Sequence, residues 1–209
     1  FDQALGGSSG AALGRSVALA AAAATVVVIL GAVIVWLERR RPSWLGSTVA
    51  LTFAVPGSAL AVAVLLAYGS WLRDTLLLIL IAYVAKFWAL GHRPLSGAAA
   101  MLSPVALGAA RVAGARPATV TRTIVAPLLA PAVGAAWLLV MLFGVHELTM
   151  SSLLYGPGSE TLAVVVLNLR QLGDSTLTAA MAVLLTMATM GAGAGAMWLW
   201  RRRPARSTP

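Results

Sequence analysis

His146 and Glu147 stand side by side at the end of a long apolar run, the one place in the chain where an imidazole neighbours a carboxylate. Such a pair could ligate a metal or move a proton. Adjacent residues on a helix project about 100° apart, however, and no third ligand candidate is evident. With two histidines and no cysteines, thiolate sites are excluded, and neither a fixed metal, a cofactor nor a catalytic constellation is expected. A nucleotide site is not expected either, since no G-x-x-x-x-G-K-[ST] run occurs. The second unusual stretch is Gly108–Pro127, GAARVAGARPATVTRTIVAP, which carries three arginines in a chain otherwise dominated by Ala, Leu and Val. The net charge of +9 raises the question of nucleic acid. The arginines sit at the ends of apolar runs and are not interleaved with aromatics, so no nucleic-acid partner is expected.

The elements that must position these residues are set by composition. Hydrophobic residues make up 60% of the chain, charged residues 10%, and the mean hydropathy is +0.90. A soluble domain carries roughly 25% charged residues. The few charges are clustered, leaving uncharged runs longer than the roughly 18 residues that mark a membrane-spanning helix. The expected fold class is an all-α integral membrane protein with five transmembrane helices, over about 15–37, 48–72, 74–92, 125–146 and 175–200. The third run is interrupted by Lys86, whose ammonium is expected to extend to the headgroups. Residues 93–124 then form one long connection, with Pro94–Ala110 read as short helices at the membrane surface. Residues 147–174 form another, with a short helix over Thr161–Leu169 after the turn-rich YGPGSE. Gly191-x-x-x-Gly195 offers a small-residue face for close helix packing.

Five spans divide the connections between two sides. One side receives Glu38-Arg39-Arg40-Arg41, the region His92–Arg122 and the tail Arg201–Arg206, with eleven of the fifteen basic residues and one of the six acids. The other receives three arginines and five acids. The positive-inside rule makes the first side cytoplasmic, with the N-terminus outside and the C-terminus inside. The Arg-rich segment is then a cytoplasmic loop. Within it, Ala109 and Ala110 allow close backbone approach, Gly114 can end a helix with φ > 0, and Pro127 suits the first turn of the next membrane helix.

The spacing Ala109-Ala110-x3-Gly114-x9-Ile124-x2-Pro127 resembles the EAA loop of binding-protein-dependent ABC importer permeases, E-A-A-x3-G-x9-I-x-L-P. Gly108 stands where that motif has glutamate and Ala126 where it has leucine. FAVPGSALAVAVLLAYG (Phe53–Gly69), AYVAKFWALGHRPL (Ala82–Leu95) and HELTMSSLLYGPGSETLAVVVLNL (His146–Leu169) are similar to stretches of the ferric-iron type permeases. The resemblance implies a single permease domain over 1–209, one core copy, the C-terminal one of a tandem permease. It implies a loop (Gly108, Ala109, Ala110, Arg111, Gly114, Ile124, Pro127) that docks as a coupling helix on a cytoplasmic ABC ATPase dimer. It also implies a substrate-binding protein on the outer side, a second permease domain in the same or another chain, surrounding membrane lipid, and the bacterial inner membrane as location. The substrate it implies is iron(III) or an iron chelate, with thiamine, phosphonate or polyamine as alternatives.

In such a transport subunit, which has no ATP site of its own, the candidates for the translocation path are Pro56, Gly57, His146, Glu147 and Asn168. Ionisable residues near the membrane usually face a cavity or a partner, and Pro-Gly inside a span permits a hinge. Each has a plainer alternative: a helix-end glutamate bonded to the next turn, a static kink, a cap on a short helix. A membrane enzyme and a degenerate, non-transporting scaffold half-domain are the competing classes.

Overall fold

The computed structural model describes residues 8–40, 52, 54–173 and 175–201. Every regular element among them is helical: α1 (Ser8–Arg40), α2 (Gly57–Leu72), α3 (Leu76–Ala100), α4 (Pro104–Val112), α5 (Pro117–Val145), α6 (Thr149–Leu154), α7 (Leu162–Gln171) and α8 (Ser175–Arg201). Four of them, α1, α3, α5 and α8, are long and apolar enough to cross a membrane. The run expected to span 48–72 is described as the sixteen-residue α2. Its first part lies largely outside the described residues, as do Arg41, Asp174 and the tail after Arg201.

The core is built by α1, α3 and α5, with α2 and α6 laid against α3. Ala23, Ala24 and Val27 of α1 pack on Leu78, Ala82, Tyr83 and Phe87 of α3 and on Val140 of α5. A second cluster joins Val28 and Val35 to Leu95, Ala99 and Ala136. These pairings make α1 and α3 parallel and α5 antiparallel to both. Small residues bring the backbones together, since an added Cβ at Gly91 would lie 2.5 Å from Val27 Cγ1 and 3.0 Å from the Val27 carbonyl oxygen. The Gly191-x-x-x-Gly195 face, by contrast, meets no described residue of the chain. Close approach happens between α1 and α3 instead.

Of two expectations about prolines, one is corrected. The third span does not end near 92, because α3 continues through Pro94 to Ala100. Pro94 forgoes one intrahelical bond, but Leu95 and Ala99 beyond it are buried against α1 and α5, and that packing holds the helix. Lys86 therefore lies mid-helix, with its ammonium beside the start of α2. Pro127 does open the regular α-helix over Ala126–Val145, in its first turn as expected, although the candidate span as a whole runs from Pro117. A π-helical turn over Thr121–Val125 precedes it, with the Ala126 N–H donating to the Thr121 carbonyl five residues back. The wider turn spares the helix the clash a proline ring makes with the carbonyl four residues before it.

Charge is segregated between the two ends of this bundle. At one end Arg39 donates to the Ala99 carbonyl at 3.0 Å, and Arg111, Arg116 and Arg122 lie exposed or half-exposed in and after α4. Just inside it, His92 Nε2 and Glu38 Oε2 are 3.0 Å apart, with side chains only 4% and 18% exposed. At the other end Arg15 donates from Nε to the Glu160 carbonyl at 3.1 Å and from Nη2 to its carboxylate at 3.3 Å. Backbone N–H groups, of Glu160 itself and of Gly158, hold the Glu160 carboxyl below the usual range, and Arg15 adds to the effect. A carboxyl depressed by folding contributes its full stability above its unfolded pKa, near 4.5, and loses it as pH falls through the lower folded value. Amide protection factors across residues 155–161, referred to the intrinsic exchange rate at each pH, are therefore expected to stay flat above that point and to fall in stronger acid. Glu160→Gln should remove the acid-dependent step.

Candidate functional site

Two places bring chemistry-bearing residues together. The first is the connection between α3 and α5. Ser103 Oγ accepts the Ala106 N–H at 3.4 Å and Pro104 takes the first helical position, so α4 starts from a cap and a proline with its φ already set. The helix ends at Ala113. The Gly114 N–H donates to the Arg111 carbonyl and the Ala115 N–H to the Ala110 carbonyl, both at 3.0 Å. With Gly114 at φ 80°, this is the paired six-to-one and five-to-two bonding of a Schellman stop. The alanine and glycine of the sequence motif thus have a local cause: Ala110 supplies the acceptor and Gly114 the left-handed residue that lets the chain reverse.

Nothing in α4 is buried. Gly108, Ala110 and Leu107 are half-covered, while Ala109 and Arg111 are exposed, and Met101, Val105 and Val112 are 86%, 80% and 91% exposed. Ile124 is half-buried in the π turn and Pro127 exposed after it. Gly114→Ala is expected to cost about 1–2 kcal/mol, the penalty of a left-handed L-residue. Amide exchange over residues 104–115 should run at least about fivefold faster, with the α1–α3–α5 core unchanged.

The second place is the helix break before α2. Val55 and Pro56 interrupt the helical path, and α2 begins at Gly57 with no side-chain cap. Two side chains of α3 reach this break. Trp88 Nε1 donates to Thr52 Oγ1 at 2.8 Å, and Lys86 Nζ lies 3.5 Å from the Val55 carbonyl oxygen. Thr149 and Met150 of α6 close it from another side, against Gly57. Just below, the Tyr83 hydroxyl lies 2.6 Å from Ser151 Oγ and donates to the Glu147 carbonyl at 3.2 Å.

The sequence candidates divide between these surroundings. Pro56 and Gly57 are at the break. Glu147 is half-buried nearby, its carboxylate accepting the Met150 N–H at 3.1 Å. His146 turns away, exposed, with Nδ1 3.0 Å from the Leu142 carbonyl of its own helix. The two neighbours therefore do not act on one point. Asn168 is half-buried in α7, the helix that packs with α8 and α1, and so belongs to neither place. Sequence reasoning missed Tyr83 and the Glu38–His92 pair as buried polar groups, and Lys86 and Thr149 as neighbours of the break. Only Lys86 carried a signal, as the sole lysine of the chain. Among the described residues no group of three or more acidic, histidine or cysteine side chains could hold a metal ion. No protein-family model matches the chain, and no curated protein matches it.

Proposed function

We propose that the chain is the membrane-spanning permease subunit of an ABC importer, in which α4 is the coupling helix that docks on a separate cytoplasmic ATPase. One observation carries this reading. A capped, Schellman-terminated helix of nine residues stands at the arginine-rich end of an apolar bundle with none of its residues buried, displaying Val105 and Val112, with Met101 exposed just before it. A helix that short does not persist on propensity alone, and exposed apolar side chains framed by charge mark an interaction surface. The motif spacing Ala109-Ala110-x3-Gly114 supports the same reading. The arginine-rich end is then cytoplasmic, by the positive-inside rule. The break at Val55–Gly57, facing α3 and α6, is the part of the chain best suited to change shape during transport. Substrate arrives from a binding protein at the opposite end, and iron(III) or an iron chelate is the substrate suggested by the resemblance.

The absence of cysteine makes the test direct. A single cysteine replaces the exposed Ala109, carries a photo-crosslinker in native membranes, and its adduct is identified by mass spectrometry. An ATPase subunit in the adduct is the expected result. Crosslinks confined to lipid or to the chain itself would remove the coupling role and favour a scaffold.

A further inference from the structure

The arginine-rich end of the bundle carries charge of one sign. Arg93, Arg111, Arg116 and Arg122 are all exposed there. The ion pairs of the described residues are Arg15–Glu160 and Glu38–His92, and neither involves them. No acidic residue occurs between Asp74 and Glu147, and Glu38, the one acid described at this end, is held by His92. α4 and its flanks therefore offer a partner cations and no anion.

An apolar stripe lies among these cations. Val105 and Val112, seven residues apart on the helix, fall within about 20° of one another, with the exposed Ala109 beside them. Leu107 and Ala110 are half-covered and lie on the opposite side, so the valines face away from the chain. Arg111 borders the stripe one residue before Val112, and Arg116 follows the turn at Gly114. Membrane orientation would account for the arginines alone, but it does not call for a capped helix that displays two valines between them. A bilayer surface fits less well than a protein. Interfacial helices carry Trp, Phe or Leu on their apolar face, whereas no Trp, Tyr or Phe occurs between Trp88 and Trp137.

We infer that the ATPase receives α4 in an apolar cleft rimmed by carboxylates, which pair with Arg111 and Arg116. Interfaces match potential with opposite potential, and the charge of α4 is all positive. The inference rests on the permease reading and adds the chemistry of the partner's surface. It also separates this chain from the motif, because restoring the motif glutamate at Gly108 should harm docking. An added Cβ at Gly108 meets nothing within 4 Å, and glycine is a poor helix former, so α4 itself tolerates Gly108→Glu. The new carboxylate would oppose those of the partner, or draw Arg111, three residues on, away from them.

Two measurements on the full chain in native membranes test this. The first follows the ATPase adduct of the photo-crosslinker at residue 109. Gly108→Glu and Arg111→Glu are each expected to lower its yield about tenfold or more, the worth of one charge-assisted hydrogen bond. Gly108→Gln should leave the yield unchanged, and Arg111→Lys should retain most of it. The second applies a water-soluble carbodiimide, which joins an amine to a carboxylate only in direct contact, to Arg111→Lys and to Arg116→Lys. The sole lysine of the parent is Lys86, so a link in this segment reports the new amine. The expected product ties residue 111 or 116 to an Asp or Glu of the same ATPase that residue 109 captures, as read by mass spectrometry of the linked peptides. An undiminished ATPase adduct from either glutamate variant, or an ATPase adduct with no carboxylate link at either position, overturns the acidic rim and leaves the permease reading standing. Adducts of residue 109 confined to lipid would remove the permease reading itself and assign the stripe to the bilayer.

Discussion

Replacing Gly91 with valine is expected to lower the stability of the chain by about 3 kcal/mol, the upper range for overpacking a tight contact. The reason is backbone, not side chain. A Cβ at Gly91 would come within 2.5 Å of Val27 Cγ1, which could rotate away, but also within 3.0 Å of the Val27 carbonyl oxygen and 3.2 Å of its carbon, which could not. Gly31 makes the approach mutual, since a Cβ there would meet the Gly91 carbonyl carbon at 3.1 Å. Relief requires α1 and α3 to separate, and the next residue along α3 is His92. Its ring is paired with Glu38 at 3.0 Å in a buried setting, so separation also leaves a carboxylate without its partner. Leaving a buried hydrogen-bonding group without its partner typically costs about 1–3 kcal/mol. The two losses share one displacement and will not add. The measurement is unfolding in mixed micelles by added dodecyl sulfate, followed by tryptophan fluorescence. Gly97→Ala is the control, because Gly97 is exposed and meets nothing within 4 Å. It should leave the midpoint unchanged or raise it slightly through helix propensity. Equal midpoints for Gly91→Val and the parent would mean that the α1–α3 crossing is not what holds the bundle together.

The same contact shows what a sequence can and cannot reveal here. Long uncharged runs give the helices of the bundle, because in an apolar medium the backbone has to satisfy itself. The turn at Gly114 is equally legible, since helix stops are written locally. Prolines are read less surely for the same reason. Pro127 does stand in the first turn of the regular helix that follows the π turn, but Pro94 looks like a boundary and is not one, because burial of Leu95 and Ala99 carries α3 past it. Gly191-x-x-x-Gly195 shows the converse, a local packing pattern with no described neighbour, while the close approach falls at Gly91 and Val27. Partners far apart in the chain were beyond reach. Nothing in the sequence ties His92 to Glu38, or Lys86 to Val55, because each pair is made by a helix crossing. The Pro56-Gly57 break was readable, but what gathers around it was not.

The double variant Val105→Asp, Val112→Lys is expected to abolish coupled uptake while leaving the fold intact. Both valines are almost fully exposed, so neither substitution opens a cavity. Both new charges suit their positions. The aspartate falls in the first turn of α4, where negative charge is favoured, and the lysine in the last, where positive charge is favoured. The helix itself should therefore form at least as well as before. What is removed is apolar surface available to a partner. Burying one valine contributes roughly 1.5 kcal/mol, so losing two amounts to about 3 kcal/mol, or about two orders of magnitude in docking affinity. ATP-driven uptake by the assembled complex and the photo-adduct at residue 109 should fall together, with the dodecyl sulfate midpoint unchanged. Uptake that survives both substitutions would show that α4 transmits nothing from an ATPase, whatever its shape. Reduced uptake with a full-strength adduct would place the fault after docking, in the path from α4 through the π turn into α5. That outcome can be resolved further, since Thr121–Val125 is where the regular ladder of α5 widens. Deleting one residue there should close the wide turn into regular α-helix with little net rotation of α4, since a π turn is one inserted residue accommodated locally, and so tests whether the wide turn itself carries the coupling.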